Sequence, residues 1–176
     1  MSPSPRAPGL GALTLLAVLI AILVSGGCEP AADDDGSQTG PRSASVEVTR
    51  VVDGDTVEVR IDGEIEDVRY IGVDTPESVK PGEPVECYAL AAGDFNERLV
   101  EGERVRLVFD AERRDTYGRL LAYVYLGDRF VNAELVRRGY ATTLTIAPND
   151  RFADLFARLE RRAGAQGRGL WGECDV

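Results

Sequence analysis

Residues 51–77, VVDGDTVEVRIDGEIEDVRYIGVDTPE, decide the fold of this chain. Apolar and polar residues alternate at 56–61, which predicts a half-buried strand, and Asp62-Gly63 is a strong signal for a tight turn into a further strand at 65–73. The same alternation at 45–50 predicts a strand that precedes both. The sequence therefore predicts a three-stranded meander at the start of a domain.

The rest of the domain mixes further strand patterns with helical ones. Strand patterns recur at 104–109 and 119–126, and a turn is predicted at 115–118 before the second of them. Apolar residues at helical spacing predict helices at 86–100, 131–138 and 151–162, the second of them closed by Gly139. Five short strands with a helix after the third indicate an α+β fold built on a small closed barrel.

The first 27 residues predict an export signal that is not part of the fold. Arg6 is the only charged residue before Cys28, and residues 10–24 form an apolar run that is short for a membrane-spanning helix. Ser25-Gly26-Gly27-Cys28 resembles the bacterial lipoprotein cleavage box, in which the cysteine is acylated, although that box usually has Leu where this chain has Ser25. Two alternatives stay open: an ordinary signal peptide, or an uncleaved anchor with Cys28 incidental.

Residues 28–44 follow as a flexible acidic tether, rich in Asp, Gly, Ser and Pro and without an aromatic residue, so they lack the means to form a core. Residues 45–176 have the length and apolar content of one domain. We expect an exported monomer that faces outward from the cell membrane through a lipid anchor on Cys28, or is secreted.

The composition excludes several classes of enzyme. The chain has no histidine, so the usual serine, cysteine and zinc hydrolases, which rely on imidazole as base or ligand, are excluded in their usual form. Cys87 and Cys174 are left as a pair in an oxidising compartment, which favours a disulfide, and a zinc site would lack partners. The net charge of −10 is unusual for a protein that binds nucleic acid, so such binding would depend on local charge.

Asp55 and Asp74 are the first candidates for chemistry. In a three-stranded meander the start of the second strand lies beside the end of the third, so these side chains can face each other across a strand pair. Carboxylates that close repel unless a cation lies between them, and with oxygen ligands alone Ca²⁺ is the natural occupant, with Mg²⁺ or Mn²⁺ next. Arg69, five residues before Asp74, points to the opposite face of a regular strand, so a bend or bulge would be needed to bring it to the same site.

Taken singly, these motifs have plainer interpretations: DGD at 53–55 as a turn with a structural Asp53, DTPE at 74–77 as a helix start, and the arginines as solvated strand residues. The ordered set is more specific than its parts. VVDGDTVEV, VRYIGVDTPE, DTYGRLLAYVY, VNAELVRRGYA and the closing GLW follow one another over nearly all of residues 45–171. Together they resemble the staphylococcal nuclease (thermonuclease) family.

This resemblance implies an OB-type five-stranded Greek-key β-barrel with about three packed α-helices. It also implies a metal-dependent nuclease that hydrolyses phosphodiester bonds of DNA and RNA and leaves 3′-phosphate products. The residues that match the family's functional positions are the calcium ligands Asp55, Asp74 and the backbone carbonyl of Thr75, the general base Glu77, the phosphate-binding Arg69 and Arg119, and the nucleotide-contacting Tyr117.

The sequence departs from the family pattern at three places near the implied substrate site. Thr116 stands where the family has lysine, Leu144 where it has tyrosine, and YALAA at 88–92 where its helix begins Tyr-Gly-x-Glu-Ala. With the acidic total charge, these departures predict weaker substrate binding that is strongly sensitive to salt. The alternatives to an enzyme are a non-catalytic nucleic-acid-binding OB module and a calcium-stabilised domain of the envelope.

Overall fold

The meander predicted from residues 45–73 is present. The computed structural model describes residues 43–78, 82 and 84–175, so the predicted signal, its cleavage box and nearly all of the tether lie outside the described residues. Strands β1 (Ser43–Val51), β2 (Thr56–Ile61) and β3 (Glu64–Tyr70) pair in antiparallel order. The turn between β2 and β3 is the predicted Asp62-Gly63, with both residues at positive φ, as the tightest hairpin turns require.

Five of the strands close into a ring. The remaining elements in chain order are β4 (Gly72–Asp74), α1 (Ala89–Val100), β5 (Arg104–Val108), β6 (Leu120–Leu126), β7 (Arg129–Phe130), α2 (Val131–Arg138), β8 (Thr142–Leu144), α3 (Ala153–Ala165) and α4 (Leu170–Glu173). β1 pairs with β5, β5 pairs with β6, and β6 runs parallel to β3 through residues 120–122 and 68–70. The predicted α+β fold, an OB-type barrel of five strands with three principal helices, is confirmed.

The third predicted strand is wrong in one respect, because it is not continuous over 65–73. β3 ends at Tyr70, and Gly72 adopts a φ of +80° that a regular strand does not have. After this break the chain forms β4, which leaves the barrel sheet and pairs with β8 instead. A Cβ on Gly72 would lie 2.5 Å from Cε2 of Phe156, so α3 packs directly on the glycine. The break therefore depends on a residue that has no side chain.

The core is the inner face of the barrel together with the helices that cover it. Alternate strand residues point inward and are fully buried, as the period of a strand requires: Val46, Val48, Val57, Val59, Val105 and Leu107. Asn132 of α2, also fully buried, ties the helix to the barrel. Its Oδ1 accepts a hydrogen bond from Val124 N at 2.9 Å, and its Nδ2 donates to the carbonyl of Ile71 at 2.9 Å, next to the break.

The helix ends and the last residues differ from the sequence-based bounds. α1 begins at Ala89 and not at 86, because Tyr88 has a φ of +70°, which a right-handed helix does not accommodate. α4 was not predicted; the buried Leu170 at its start donates its N–H to the carbonyl of Gly139 at 2.8 Å. Among residues 43–78, 82 and 84–175, no helix is long and apolar enough to cross a membrane.

Candidate active site

Asp55 is a buried carboxylate held by its neighbours. It follows the turn at 53–54 at the start of β2 and is only 3% exposed. Its Oδ2 accepts a hydrogen bond from Thr75 N at 2.7 Å, and its Oδ1 accepts one from Thr56 Oγ1 at 3.2 Å. A Cβ on Gly54 would lie 2.7 Å from the Thr75 side chain, so the turn presses directly against the segment after β4.

Arg69 lies between the two predicted metal-ligating carboxylates. Its Nη1 is paired with Asp55 Oδ2, and its Nη2 is 2.6 Å from Asp74 Oδ1. Nη1 also donates to the carbonyl of Val73 at 3.2 Å. On a regular strand Arg69 and Asp74 would point to opposite faces, and the break at Gly72 is the bend that brings them together. The structure thus unites Asp55, Asp74 and Arg69 in one cluster.

The electrostatics of Asp55 explain why a positive charge is needed beside it. The pKa of Asp55 is raised to about 7, mainly by burial and also by the charge of Asp53, although the Arg69 guanidinium and the Thr75 N–H lower it. A buried carboxylate of this kind is stable in its charged form only beside a cation. In this structure that cation is the Arg69 guanidinium. The guanidinium offsets the repulsion between the Asp55 and Asp74 carboxylates. This repulsion by itself is therefore no argument for a metal ion.

Arg69 also lines a cleft of about 330 Å³. Arg119, Tyr117, Thr116 and Leu144 also line it. Tyr117 is 85% exposed, and the Arg119 guanidinium carbon lies 5.6 Å from the centre of its ring. The two predicted phosphate-binding arginines and the predicted nucleotide-contacting tyrosine thus share one concave surface.

Asp115 fixes the orientation of Arg119. Its Oδ2 accepts a hydrogen bond from Arg119 Nε at 2.8 Å, and its Oδ1 accepts from the backbone N–H groups of Tyr117 and Arg119 at 3.0 and 2.9 Å. Sequence reasoning treated Asp115 only as part of a turn. The signal was available, because an aspartate that opens a turn commonly accepts from the N–H two residues on.

Glu77 is fixed through its backbone in the segment that follows β4. Its N–H donates to Glu86 Oε2 at 2.9 Å, and its carbonyl accepts from Glu86 N at 3.0 Å. The residue is partly buried and is not in the lining of the cleft that contains Arg119. Glu86 was missed as a partner, since nothing in the sequence pairs two acidic residues nine positions apart.

A disulfide joins Cys87, next to Glu86, to Cys174 after α4. It borders a second cavity of about 510 Å³, whose lining includes Asp74, Thr75 and the acidic residues Glu173 and Asp175. Among the described residues, no group of three or more His, Cys, Asp or Glu side chains is arranged to hold a metal ion. The covalent link nevertheless ties the end of the chain to the neighbourhood of Asp74.

Comparison with known proteins places these features in a family. A family model described as staphylococcal nuclease homologue matches residues 67–173. A thermonuclease of Staphylococcus intermedius is 40% identical over 157 residues, which are 89% of this chain and 94% of the relative. A thermonuclease of Staphylococcus hyicus is 34% identical over 161 residues, 92% of this chain and 95% of the relative. Endonuclease YncB of Bacillus subtilis (strain 168) is 37% identical over 137 residues, 77% of this chain and 65% of the relative.

The chain belongs to the staphylococcal nuclease family. The resemblance drawn from the ordered motifs is confirmed. The matched range of the staphylococcal nuclease homologue model contains Arg69, Asp74, Glu77 and Arg119, whereas Asp55 lies before it. The family match does not give the geometry of the individual site residues, which is known from the contacts described above.

Proposed function

We propose that this nuclease hydrolyses the phosphodiester bonds of DNA and RNA with the help of a divalent cation, Ca²⁺ in preference to Mg²⁺ or Mn²⁺, and leaves 3′-phosphate products. The nuclease class follows from the family and from relatives named thermonuclease and endonuclease. One observation carries the assignment of the site: Arg69, held by Asp55 and Asp74, lines the same cleft as Arg119.

The residues present fit a hard divalent cation. The carboxylates of Asp55 and Asp74 and the carbonyl of Thr75 are oxygen donors, which Ca²⁺ prefers, and Ca²⁺ tolerates irregular geometry better than Mg²⁺. The Asp74 side chain is 50% exposed, which leaves an open side for water ligands. Arg69 bridges the two carboxylates in this structure, so a cation bound by them would replace the guanidinium between them and leave it for the phosphate.

The chain's own side chains would divide the chemistry as follows. Arg69 and Arg119 hold the scissile phosphate, because a guanidinium binds two phosphate oxygens at once and stays protonated. Glu77, which matches the family's general base but does not line this cleft, would orient the attacking water and accept its proton, a role that typically contributes about 10²–10⁴-fold. Tyr117 contacts the nucleotide from the exposed edge of the cleft. Asp55 and Asp74 would hold the divalent cation, which would supply further positive charge to the anionic transition state.

The cellular setting is part of the proposal. We propose that residues 1–27 direct export, that Cys28 is acylated and anchors an outward-facing monomer through the tether that follows it, and that the catalytic domain begins with β1 at Ser43, two residues before the predicted boundary at 45. The disulfide between Cys87 and Cys174 supports an oxidising compartment, where such bonds persist.

The test is cleavage of heat-denatured DNA and of RNA by the full-length chain, with Ca²⁺ or with EDTA. We expect cleavage only with Ca²⁺, and 3′ ends that a polymerase extends only after phosphatase treatment. Arg119→Ala should lower kcat by about 10²–10³-fold, as loss of a transition-state donor does. Arg50, which is paired with Glu58 and is not in the lining of the cleft, gives the matched control Arg50→Ala.

Three results would contradict this proposal. Cleavage that persists in EDTA would remove the metal from the mechanism. Calcium-dependent DNA binding without cleavage would favour a nucleic-acid-binding module, and calcium-dependent stabilisation without either would favour a structural envelope domain.

A further inference from the structure

The positive charge of this acidic protein is concentrated in the part of the chain that contains α2 and α3. Residues 129–168 contain eight arginines and four acidic residues, a net charge of +4, although the whole chain has −10. Residues 43–128 contain ten basic and twenty acidic residues. A polyanion that approaches the molecule is therefore repelled by most of the barrel sequence and attracted by the part that contains α2 and α3.

Three of these arginines line one pocket. We call it the arginine pocket; its volume is about 480 Å³, and its lining is Glu134, Arg137, Arg138, Tyr140, Arg168 and Gly169. Glu134 accepts from Arg137 Nη2 and, at 3.1 Å, from Arg138 Nε, while Arg168 Nη1 donates to the Arg137 carbonyl at 2.8 Å. One carboxylate thus stands among three guanidiniums, so the pocket has a net charge of +2.

Arg168 is held beside α2 by a close backbone contact. Gly139, at the end of α2, and Gly169 both have positive φ, and a Cβ on either would overlap the backbone of the other segment. Leu170 N then donates to the Gly139 carbonyl at 2.8 Å. Since this contact fixes the backbone on both sides of the pocket, the guanidiniums are brought together by the fold and not by chance rotamers of a solvated helix face.

The chemistry of the pocket fits a phosphate group. Each guanidinium has five N–H donors, and the hydrogen bonds described above use one from each arginine. A guanidinium binds two phosphate oxygens at once. The pocket's net charge of +2 also exceeds the single negative charge of a phosphodiester. The side chains of Arg137 and Arg138 are 47% and 58% exposed, so a ligand has access to them.

We propose that the arginine pocket is a second phosphate-binding site, which holds a backbone phosphate of the nucleic acid substrate away from the scissile bond. The proposal rests on the proposed nuclease function. Consecutive residues connect the pocket to the neighbourhood of the candidate active site: Gly169 lines the arginine pocket, and Leu170 lines the cavity that also contains Asp74 and Thr75. A strand that reaches from one site to the other gains affinity without any change at the reacting phosphate.

The experiment compares two full-length double variants with equal change of charge. Arg137→Ala/Arg168→Ala removes two members of the arginine pocket, and Arg161→Ala/Arg162→Ala removes two exposed arginines of α3 that are not in its lining. Binding of labelled single-stranded DNA of about 20 nucleotides, longer than the roughly 4–16 that one OB fold covers, is measured by fluorescence anisotropy in EDTA. Cleavage of a dinucleotide substrate with Ca²⁺ is measured in parallel.

We expect the pocket variant to raise the Kd for the long strand about 10-fold and to reduce the slope of log Kd against log salt by about 0.7 for each phosphate lost. The control variant should change the Kd less than threefold at equal salt, with an unchanged slope. kcat/KM for the dinucleotide should stay at the wild-type value in both. If the pocket variant is unstable to heat, Arg137→Gln alone, in which Glu134 keeps Arg138, provides the same comparison against Arg161→Gln.

Equal losses in the two double variants would overturn the proposal, because net charge would then explain them. A loss on the dinucleotide as large as on the long strand would assign the pocket to the active site instead. Pocket-dependent binding to phosphatidylglycerol vesicles, with DNA binding unaffected, would overturn it in favour of a lipid surface. Pocket-dependent DNA binding by a chain that cleaves nothing would support the pocket and refute the proposed nuclease mechanism.

Discussion

Replacing Gly72 by alanine is the sharpest test of the break that assembles the site. The φ of +80° lies where residues with a Cβ are strained, and that Cβ would lie 2.5 Å from Phe156 Cε2. The left-handed backbone costs about 1–2 kcal/mol, and an extra methyl group in a closed core costs about 1–3 kcal/mol. We expect Gly72→Ala to lower the free energy of unfolding by about 2–5 kcal/mol.

Gly102→Ala is the matched control for the cost of placing alanine at a positive φ. Its φ of +74° is nearly the same, but a Cβ there meets nothing within 4 Å, so only about 1–2 kcal/mol is expected. Urea unfolding of both variants, followed by circular dichroism, gives the difference. Adding Phe156→Leu to Gly72→Ala should recover part of the loss, because the shorter side chain makes room for the methyl group.

Activity measurements test the effect of Gly72→Ala independently of stability. The break brings Arg69 to Asp74, and a displacement of about 1 Å in a catalytic arrangement can cost about 10²-fold in rate. Under conditions where Gly72→Ala is still folded, kcat/KM is expected to fall by that order while Gly102→Ala keeps wild-type activity. If the two alanines destabilise the protein equally and both retain activity, the contact with Phe156 does not maintain the break, and the reasoning fails.

Three further changes follow from contacts already described. Asn132→Leu leaves Val124 N and the Ile71 carbonyl without their buried partner. The free energy of unfolding, measured by urea titration, should fall by about 2–5 kcal/mol, and a loss below about 1 kcal/mol would contradict this prediction. Replacing Cys87 and Cys174 by serine opens a link between positions 87 residues apart and should cost up to about 4–5 kcal/mol by the same titration, with unchanged stability arguing against the bond. Thr116→Lys adds a cation to the cleft lining and should lower the Kd for single-stranded DNA and steepen its salt dependence by about 0.7; an unchanged slope would place residue 116 outside the bound strand's path.

The sequence predicted those parts of the fold that local patterns determine. Alternation of apolar residues predicted the barrel strands, and Asp62-Gly63 predicted the hairpin of β2 and β3, because a strand's inward face and a tight turn are decided within a few residues. The break at Gly72 was missed because its cause is distant. Phe156 lies more than eighty positions further along the chain, and glycine within a strand pattern is compatible with several local structures.

The site could be predicted from the sequence only in part, for a related physical reason. Asp55 and Asp74 follow from meander geometry alone. Arg69 does not, since strand periodicity turns it away from Asp74 until the break is known. The role of Asp115 as the partner of Arg119 was readable from turn chemistry, whereas the contact between Glu77 and Glu86 required the fold.

The parallel pairing of β3 with β6 also bears on how fast the protein becomes functional. Val68 pairs with Leu120, so the ring closes only when segments far apart in the chain have met, and such non-local pairings slow folding. Until then the edges of β3 and β6 expose unpaired backbone groups that invite association with other chains. Arg69 lies on β3, and Arg119 directly precedes β6. The pairing of these two strands therefore covers their exposed edges and at the same time forms the cleft.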